Sequence, residues 1–180
     1  MSRRRREKID GLEEAVRIVR GLWKSAAYTF DGQHHRVREA GLEPKPSHNI
    51  PIWLGTFGKR ALTVTGRVAD GWIPTFSMAP PKDIPAMRDR IFEAASAAHR
   101  DPADITLAYN INFRIQERGD SEPALAVTGS ASQIAEQLSS FVDLGFSALN
   151  FSPDGNEPER QVEILAQEVL PMVRSFASAP

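Results

Sequence analysis

One stretch constrains the fold of this chain more than any other. From Ile50 to Phe76 the sequence reads strand, helix, strand. The first strand is Ile50-Pro51-Ile52-Trp53-Leu54. A helix from Lys59 to about Arg67 follows, with Ala61, Leu62, Thr65 and Val68 inward. After the turn Ala69-Asp70-Gly71, a second strand runs Trp72-Ile73-Pro74-Thr75-Phe76. Three elements within about 27 residues make a compact βαβ unit, which pairs its strands in parallel through a right-handed crossover. The connection Gly55-Thr56-Phe57-Gly58-Lys59-Arg60 is a glycine-bounded turn into a helix with a basic first turn. Backbone N–H groups at such a turn lack intrahelical partners, and the helix dipole adds positive charge. An anion, most often a phosphate, is the natural occupant.

The 180 residues suit one domain spanning the whole chain, 1–180, with residues 1–49 as lead-in and 50–176 carrying the repeated units. A formal net charge of −1 gives no global pull toward nucleic acid or membrane. Cysteine is absent, which excludes disulfides and thiolate metal sites and fits a reducing cytoplasm. No apolar run approaches the roughly 20 residues of a membrane helix. The basic start has no apolar segment behind it, so it does not read as a secretory signal. The run Arg3-Arg4-Arg5-Arg6 reads as a solvated or frayed end.

Around the βαβ unit the pattern repeats. Ile9, Leu12, Val16, Val19, Leu22 and Trp23 predict an amphipathic helix to about Lys24, with Asp10 and Glu13 as a capping box if it opens there. Tyr28 to Val37 predicts a hairpin turning at Asp31-Gly32. His34 and His35 would then point to opposite faces and could not share a metal. A helix opened by Asp83 and Pro85 carries Ile84, Met87, Ile91, Ala95 and Ala98 on its apolar face, and a third strand runs from Ile105 to Ile115. Residues 117–128 read as a loop. Ser130 and Gln133 form a capping box for a helix bearing Ile134, Leu138, Phe141 and Val142, which stops at Gly145. A fourth strand, Phe146 to Phe151, precedes a final helix near Pro158 with Val162, Leu165, Val169, Val173 and Phe176 inward, and a frayed tail from Ala177. This is an α/β pattern of four β/α units behind a helix and a small hairpin. It fits either an open doubly wound sheet or half of an eight-unit barrel.

Several motifs, taken in order, resemble the bacterial luciferase-like monooxygenase family. They are Gly21-Leu22-Trp23, Tyr28-Thr29-Phe30-Asp31-Gly32, Pro44-Lys45-Pro46, Ile50-Pro51-Ile52-Trp53-Leu54-Gly55 and Gly66-Arg67-Val68-Ala69-Asp70-Gly71-Trp72. Val127-Thr128-Gly129-Ser130, Leu144-Gly145-Phe146 and Val169-Leu170-Pro171 continue the series toward the end. The resemblance implies a (β/α)₈ TIM-barrel fold, of which this chain looks like the C-terminal half. It implies a flavin- or deazaflavin-dependent oxidoreductase or monooxygenase, with FMN or coenzyme F-420 as cofactor and a small organic substrate.

The resemblance also assigns the cofactor-phosphate loop to Gly55, Thr56, Phe57, Gly58 and Lys59. Many relatives have two consecutive glycines where this chain has Gly55-Thr56. Thr56 would either add a hydroxyl to the phosphate site or crowd the approach to it. No catalytic pair, triad or metal cluster stands out, and in this family the chemistry belongs mostly to the cofactor. Severed barrel strands leave open edges, so a complementary half-barrel chain or a homodimer is expected. The competing reading is a non-catalytic relative that binds a phosphate-bearing ligand weakly or not at all.

Overall fold

The computed structural model describes residues 3–116, 126–155 and 157–177. They form two compact units. The first comprises residues 1–72 and 87–105, and the second residues 73–86 and 106–180.

In the first unit, α1 (Arg3–Lys24) begins at Arg3, upstream of the expected start. Asp10 and Glu13 therefore lie inside the helix and cap nothing. Instead Asp10 pairs with Arg60, and Glu13 pairs with Arg17 at 2.6 Å and Arg67 at 3.2 Å. At the other end Lys45, from the motif Pro44-Lys45-Pro46, donates to the Leu22 carbonyl (3.0 Å) and so closes the helix.

Strands β1 (Tyr28–Asp31) and β2 (Arg36–Ala40) pair antiparallel. The expected two-residue turn is a longer loop from Gly32 to His35, closed by Gly32 N–H donating to the His35 carbonyl (2.9 Å). The reason lies in α1. The Glu14 carboxylate reaches across and accepts from the N–H groups of Gln33 (2.8 Å), His34 (2.9 Å) and His35 (2.8 Å), holding the loop open.

The βαβ unit forms with short strands. β3 (Trp53–Leu54) and β4 (Gly71–Trp72) pair in parallel and are joined by α2 (Lys59–Val68). Ala61, Leu62, Val64, Thr65 and Gly66 make its buried face. Most of α3 (Ile84–Ala97) packs in this unit too, and it crosses α2 closely. A Cβ on Gly66 would stand 2.1 Å from the Ile91 carbonyl oxygen, so only glycine fits there.

The second unit is built on β5 (Thr106–Ile115), which pairs in parallel with β6 (Val127–Gly129) on one side. β6 lies where a loop is expected; residues 117–125 fall outside the described residues. Helix α4 (Ala131–Asp143) opens on the expected capping box of Ser130 and Gln133. It closes with Gly145 at φ 94° and Phe146 N–H donating to the Phe141 carbonyl (3.1 Å). Strand β7 (Ala148–Pro153) lies two residues later than expected and pairs with β5 on its other side.

The last helix is broken in character. α5 (Pro158–Ile164) passes through a π-helical stretch, Leu165–Val169, into α6 (Leu170–Ala177). Leu165 and Val169 are buried, whereas Val142, Val162 and Phe176, all expected inward, are exposed.

The second unit's core is aromatic. The Tyr109 ring lies 4.6 Å from that of Phe141 and 4.9 Å from that of Phe146, and its hydroxyl donates to the Ala79 carbonyl. Burial pushes the Tyr109 phenol well above its ordinary pKa, so it remains a donor.

Candidate functional site: the N-terminus of the crossover helix

The first hydrogen bond of α2 runs from Leu62 N–H to the Gly58 carbonyl (3.1 Å). The N–H groups of Lys59, Arg60 and Ala61 therefore precede the helical ladder, and the Gly58 N-cap supplies no side-chain bond to them. Gly58 has φ 82° and ψ 143°, a conformation that is essentially glycine's alone. Around it the space is open, since an added Cβ would meet nothing within 4 Å. Gly55 has no such positive φ, so the conformational freedom expected of both glycines is needed only at Gly58.

The side chains sort themselves by direction. Thr56 is buried, and its hydroxyl lies 2.6 Å from that of Thr65. Thr65 in turn donates to the Ala61 carbonyl (3.0 Å), which leaves Thr56 as donor in the threonine pair. The Thr56 carbonyl accepts from the Trp72 indole (2.9 Å). Its side chain therefore neither adds a hydroxyl to an anion site nor crowds one; it anchors the loop to the core. Phe57 and Lys59 are exposed, and Lys59 has no ion-pair partner among the described residues. Arg60 is tied to Asp10.

The opposite end of α2 is closed by arginine side chains. Arg100 donates to the carbonyls of Gly66 (2.6 Å) and Ala69 (2.7 Å), and Arg20 donates to that of Val68 (2.9 Å). Asp70 accepts from Arg20 (2.7 Å) and from Ile52 N–H (2.8 Å), a structural clasp in the turn before β4. Trp72 is fully buried, and Trp53 lies against Gly71. These residues pack and brace; at the N-terminus of α2 the donors of Lys59, Arg60 and Ala61 lie outside the helical ladder.

The second unit holds its own cavity of about 780 Å³ at the C-terminal ends of β5 and β6, lined by Gln116, Ser130, Glu157, Arg160 and Gln161 among others. The Ser130 hydroxyl is engaged by its own helix, and Gln161 clamps both backbone groups of Ile115 (2.6 and 3.1 Å). Among the described residues no cluster of His, Asp and Glu could hold a metal ion, and no helix is long and apolar enough to cross a membrane.

Residues 1–121, two-thirds of the chain, match the family described as luciferase-like monooxygenase. The chain belongs to the luciferase-like monooxygenase family. Among curated relatives, the F-420-dependent glucose-6-phosphate dehydrogenase of Nakamurella multipartita is 24% identical over 212 residues, covering 95% of this chain and 62% of the relative. Its counterpart from Mycolicibacterium gilvum is 31% identical over 218 residues, again covering 95% and 62%.

The fold is shared with solved structures at lower identity. An F-420-dependent secondary alcohol dehydrogenase in complex with an F-420–acetone adduct superposes with a TM-score of 0.80 at 18% identity, over 92% of this chain and 62% of that one. A riboflavin lyase with modified FMN and substrate riboflavin gives 0.73 at 12% identity, over 96% and 58%. The chain thus spans less than two-thirds of the length of these relatives, and its parallel β/α architecture is that of a partial TIM barrel. Luciferase-like enzymes bind small-molecule substrates and cofactors.

Proposed function

We propose that the loop Gly55–Lys59 and the first turn of α2 receive the phosphate of a redox cofactor, coenzyme F-420 or FMN, in a luciferase-like oxidoreductase acting on a small organic substrate. The uncapped N-terminus of α2 carries this reading. Three consecutive N–H groups precede the helical ladder next to the open space at Gly58, and Lys59 beside them has no ion-pair partner among the described residues. Curated relatives named as F-420-dependent, and a fold neighbour holding modified FMN, support the choice of cofactors.

The chain's own contributions are positional. The backbone donors of Lys59, Arg60 and Ala61 orient the phosphate, and Gly58 keeps side-chain atoms away from its approach. Lys59 adds a point charge. Thr56 and Trp72 hold the loop from behind. A bound deazaflavin would supply hydride transfer, and a bound flavin oxygen-dependent chemistry.

The free edge of β7 supports a partner of complementary strand structure, either a half-barrel chain or a second copy. Among the described residues β7 pairs only with β5. Sedimentation of the purified chain, alone and with a candidate half-barrel, tests that reading; a stable monomer that ignores the candidate overturns it.

Titration with F-420 and with FMN, followed by absorbance and fluorescence, tests the cofactor site. Saturable binding of either, competed by inorganic phosphate and weakened in Lys59→Gln, is the expected result. Failure of both to bind, with the barrel complement present, overturns the assignment and favours a non-catalytic relative.

A further inference from the structure

The face of the second unit's sheet that points away from its helices is polar in an ordered way. Along β5 the odd positions Tyr109, Ile111 and Phe113 are fully buried, with Tyr109 against Phe141 of α4. The even positions Ala108, Asn110, Asn112 and Arg114 therefore face the other way. Parallel register sets the first three beside residues of like character on β7. Ala108 lies opposite Ala148, Asn110 opposite Asn150, and Asn112 opposite Ser152. At the rim Arg114 meets Asp154 at 2.8 Å. Thr75 bridges to Asn110 from the opposite edge.

In a (β/α)₈ barrel the face away from the helices is the interior, which bulky branched apolar side chains ordinarily fill. Here the layers run from paired alanines through amides and a hydroxyl to an ion pair. Polarity rises toward the C-terminal ends of the strands, the end at which barrels hold their ligands. The amides satisfy each other only in part. Asn150 Nδ2 donates to Asn110 Oδ1 (2.8 Å). Among the described residues, the Asn110 N–H₂ group, the Asn150 carbonyl oxygen and the side chains of Asn112 and Ser152 have no protein partner. Asn112, Asn150 and Ser152 are exposed on this face, so these free donors and acceptors are open to a ligand. The two middle layers bear no charge, and Arg114 and Asp154 neutralise each other.

We propose that Asn110, Asn112, Asn150 and Ser152 form a binding floor for an uncharged ligand group that donates and accepts hydrogen bonds along one edge, as vicinal hydroxyls or an imide do. The absence of net charge selects against an isolated anion. This floor is independent of the anion-binding role given to α2.

Side-chain amide NMR of the ¹⁵N-labelled full chain tests the proposal with three probes: sorbitol as a neutral polyol, lumiflavin as a neutral imide, and inorganic phosphate as an anion. Saturable shifts of the Asn110, Asn112 and Asn150 resonances with sorbitol assign a polyol, and with lumiflavin an imide. Phosphate should leave them unmoved. Binding should weaken at least tenfold in Asn112→Leu and several-fold in Ser152→Ala, with the backbone resonances of β5 and β7 otherwise retained. Silence toward both neutral probes, an equal response to phosphate, or binding that survives both substitutions overturns the proposal.

Discussion

Two places in the first unit offer three consecutive backbone N–H groups, and the chain treats them oppositely. In the hairpin loop, Gln33, His34 and His35 donate to the Glu14 carboxylate, so the chain supplies its own anion. At the start of α2, the groups of Lys59, Arg60 and Ala61 receive no side-chain cap, and the Lys59 side chain has no ion-pair partner among the described residues. Burial tends to raise the Glu14 carboxyl. The three backbone donors and the nearby His34 ring outweigh it, and the group sits below its ordinary 4.5. A filled cradle of donors is a structural joint, tying α1 to the hairpin. An open one beside a glycine held at φ 82° leaves its donors free for the ligand proposed above.

Charge reversal at the open cradle should have the largest effect. Lys59→Glu should weaken F-420 or FMN binding by roughly a hundredfold, about 2.7 kcal/mol, by replacing attraction with repulsion. The same substitution places an acid at a helix N-terminus and should raise stability by about 0.5 kcal/mol. Fluorescence titration and a urea melt then move in opposite directions. A parallel loss of both would mean the cradle is merely structural.

Gly58→Ala comes next. Its Cβ meets nothing, so the cost is backbone strain alone, about 1–3 kcal/mol in a denaturant melt. Losing the point charge without reversing it, in Lys59→Gln, should weaken binding about fivefold, roughly 1 kcal/mol.

The filled cradle responds to its own carboxylate. Glu14→Ala should speed amide exchange at Gln33, His34 and His35, and added sulfate should partly restore protection by occupying the vacated cradle; no such rescue would break the analogy between the two sites. The gentlest probe is pH. Because folding lowers the Glu14 pKa below 4.5, its stabilisation is complete above that value and fades as pH falls through the lower folded value. Hairpin exchange protection should follow that course in the wild-type chain and lose it in Glu14→Gln.

The elements that were legible in the sequence are those whose signals are local. Ser130 and Gln133 announced α4 because a capping box satisfies its own donors within four residues, and Gly145 announced its end because a left-handed residue is needed there. The βαβ unit was legible from length and apolar pattern together. The misplaced features depend on distant partners. α1 begins early, with Asp10 and Glu13 drawn into pairs with α2 residues some 50 positions away. The hairpin loop is longer than its Asp31-Gly32 signal because Glu14 holds it open. β6 is a strand because β5 offers it a parallel edge, while its three residues carry too little pattern to declare themselves.

The candidate site divides in the same way. A turn between strand and helix, glycine-bounded and followed by lysine, was readable as a set of uncapped backbone donors from residue order, because free N–H groups at a helix N-terminus are a property of the backbone alone. Residue order alone also carried the family, since ordered motifs survive where side-chain geometry is invisible. Which way Thr56 points was decided by Thr65 and Trp72, one a helix away and one on the neighbouring strand. That α2 is closed at one end and open at the other was decided by Arg20 and Arg100, which converge on its last carbonyls from α1 and from the turn after α3. The alignment of Asn110 with Asn150 and of Asn112 with Ser152 joins residues 40 positions apart through strand register. Register is set by how whole elements pack, so no local pattern of residues could have announced it.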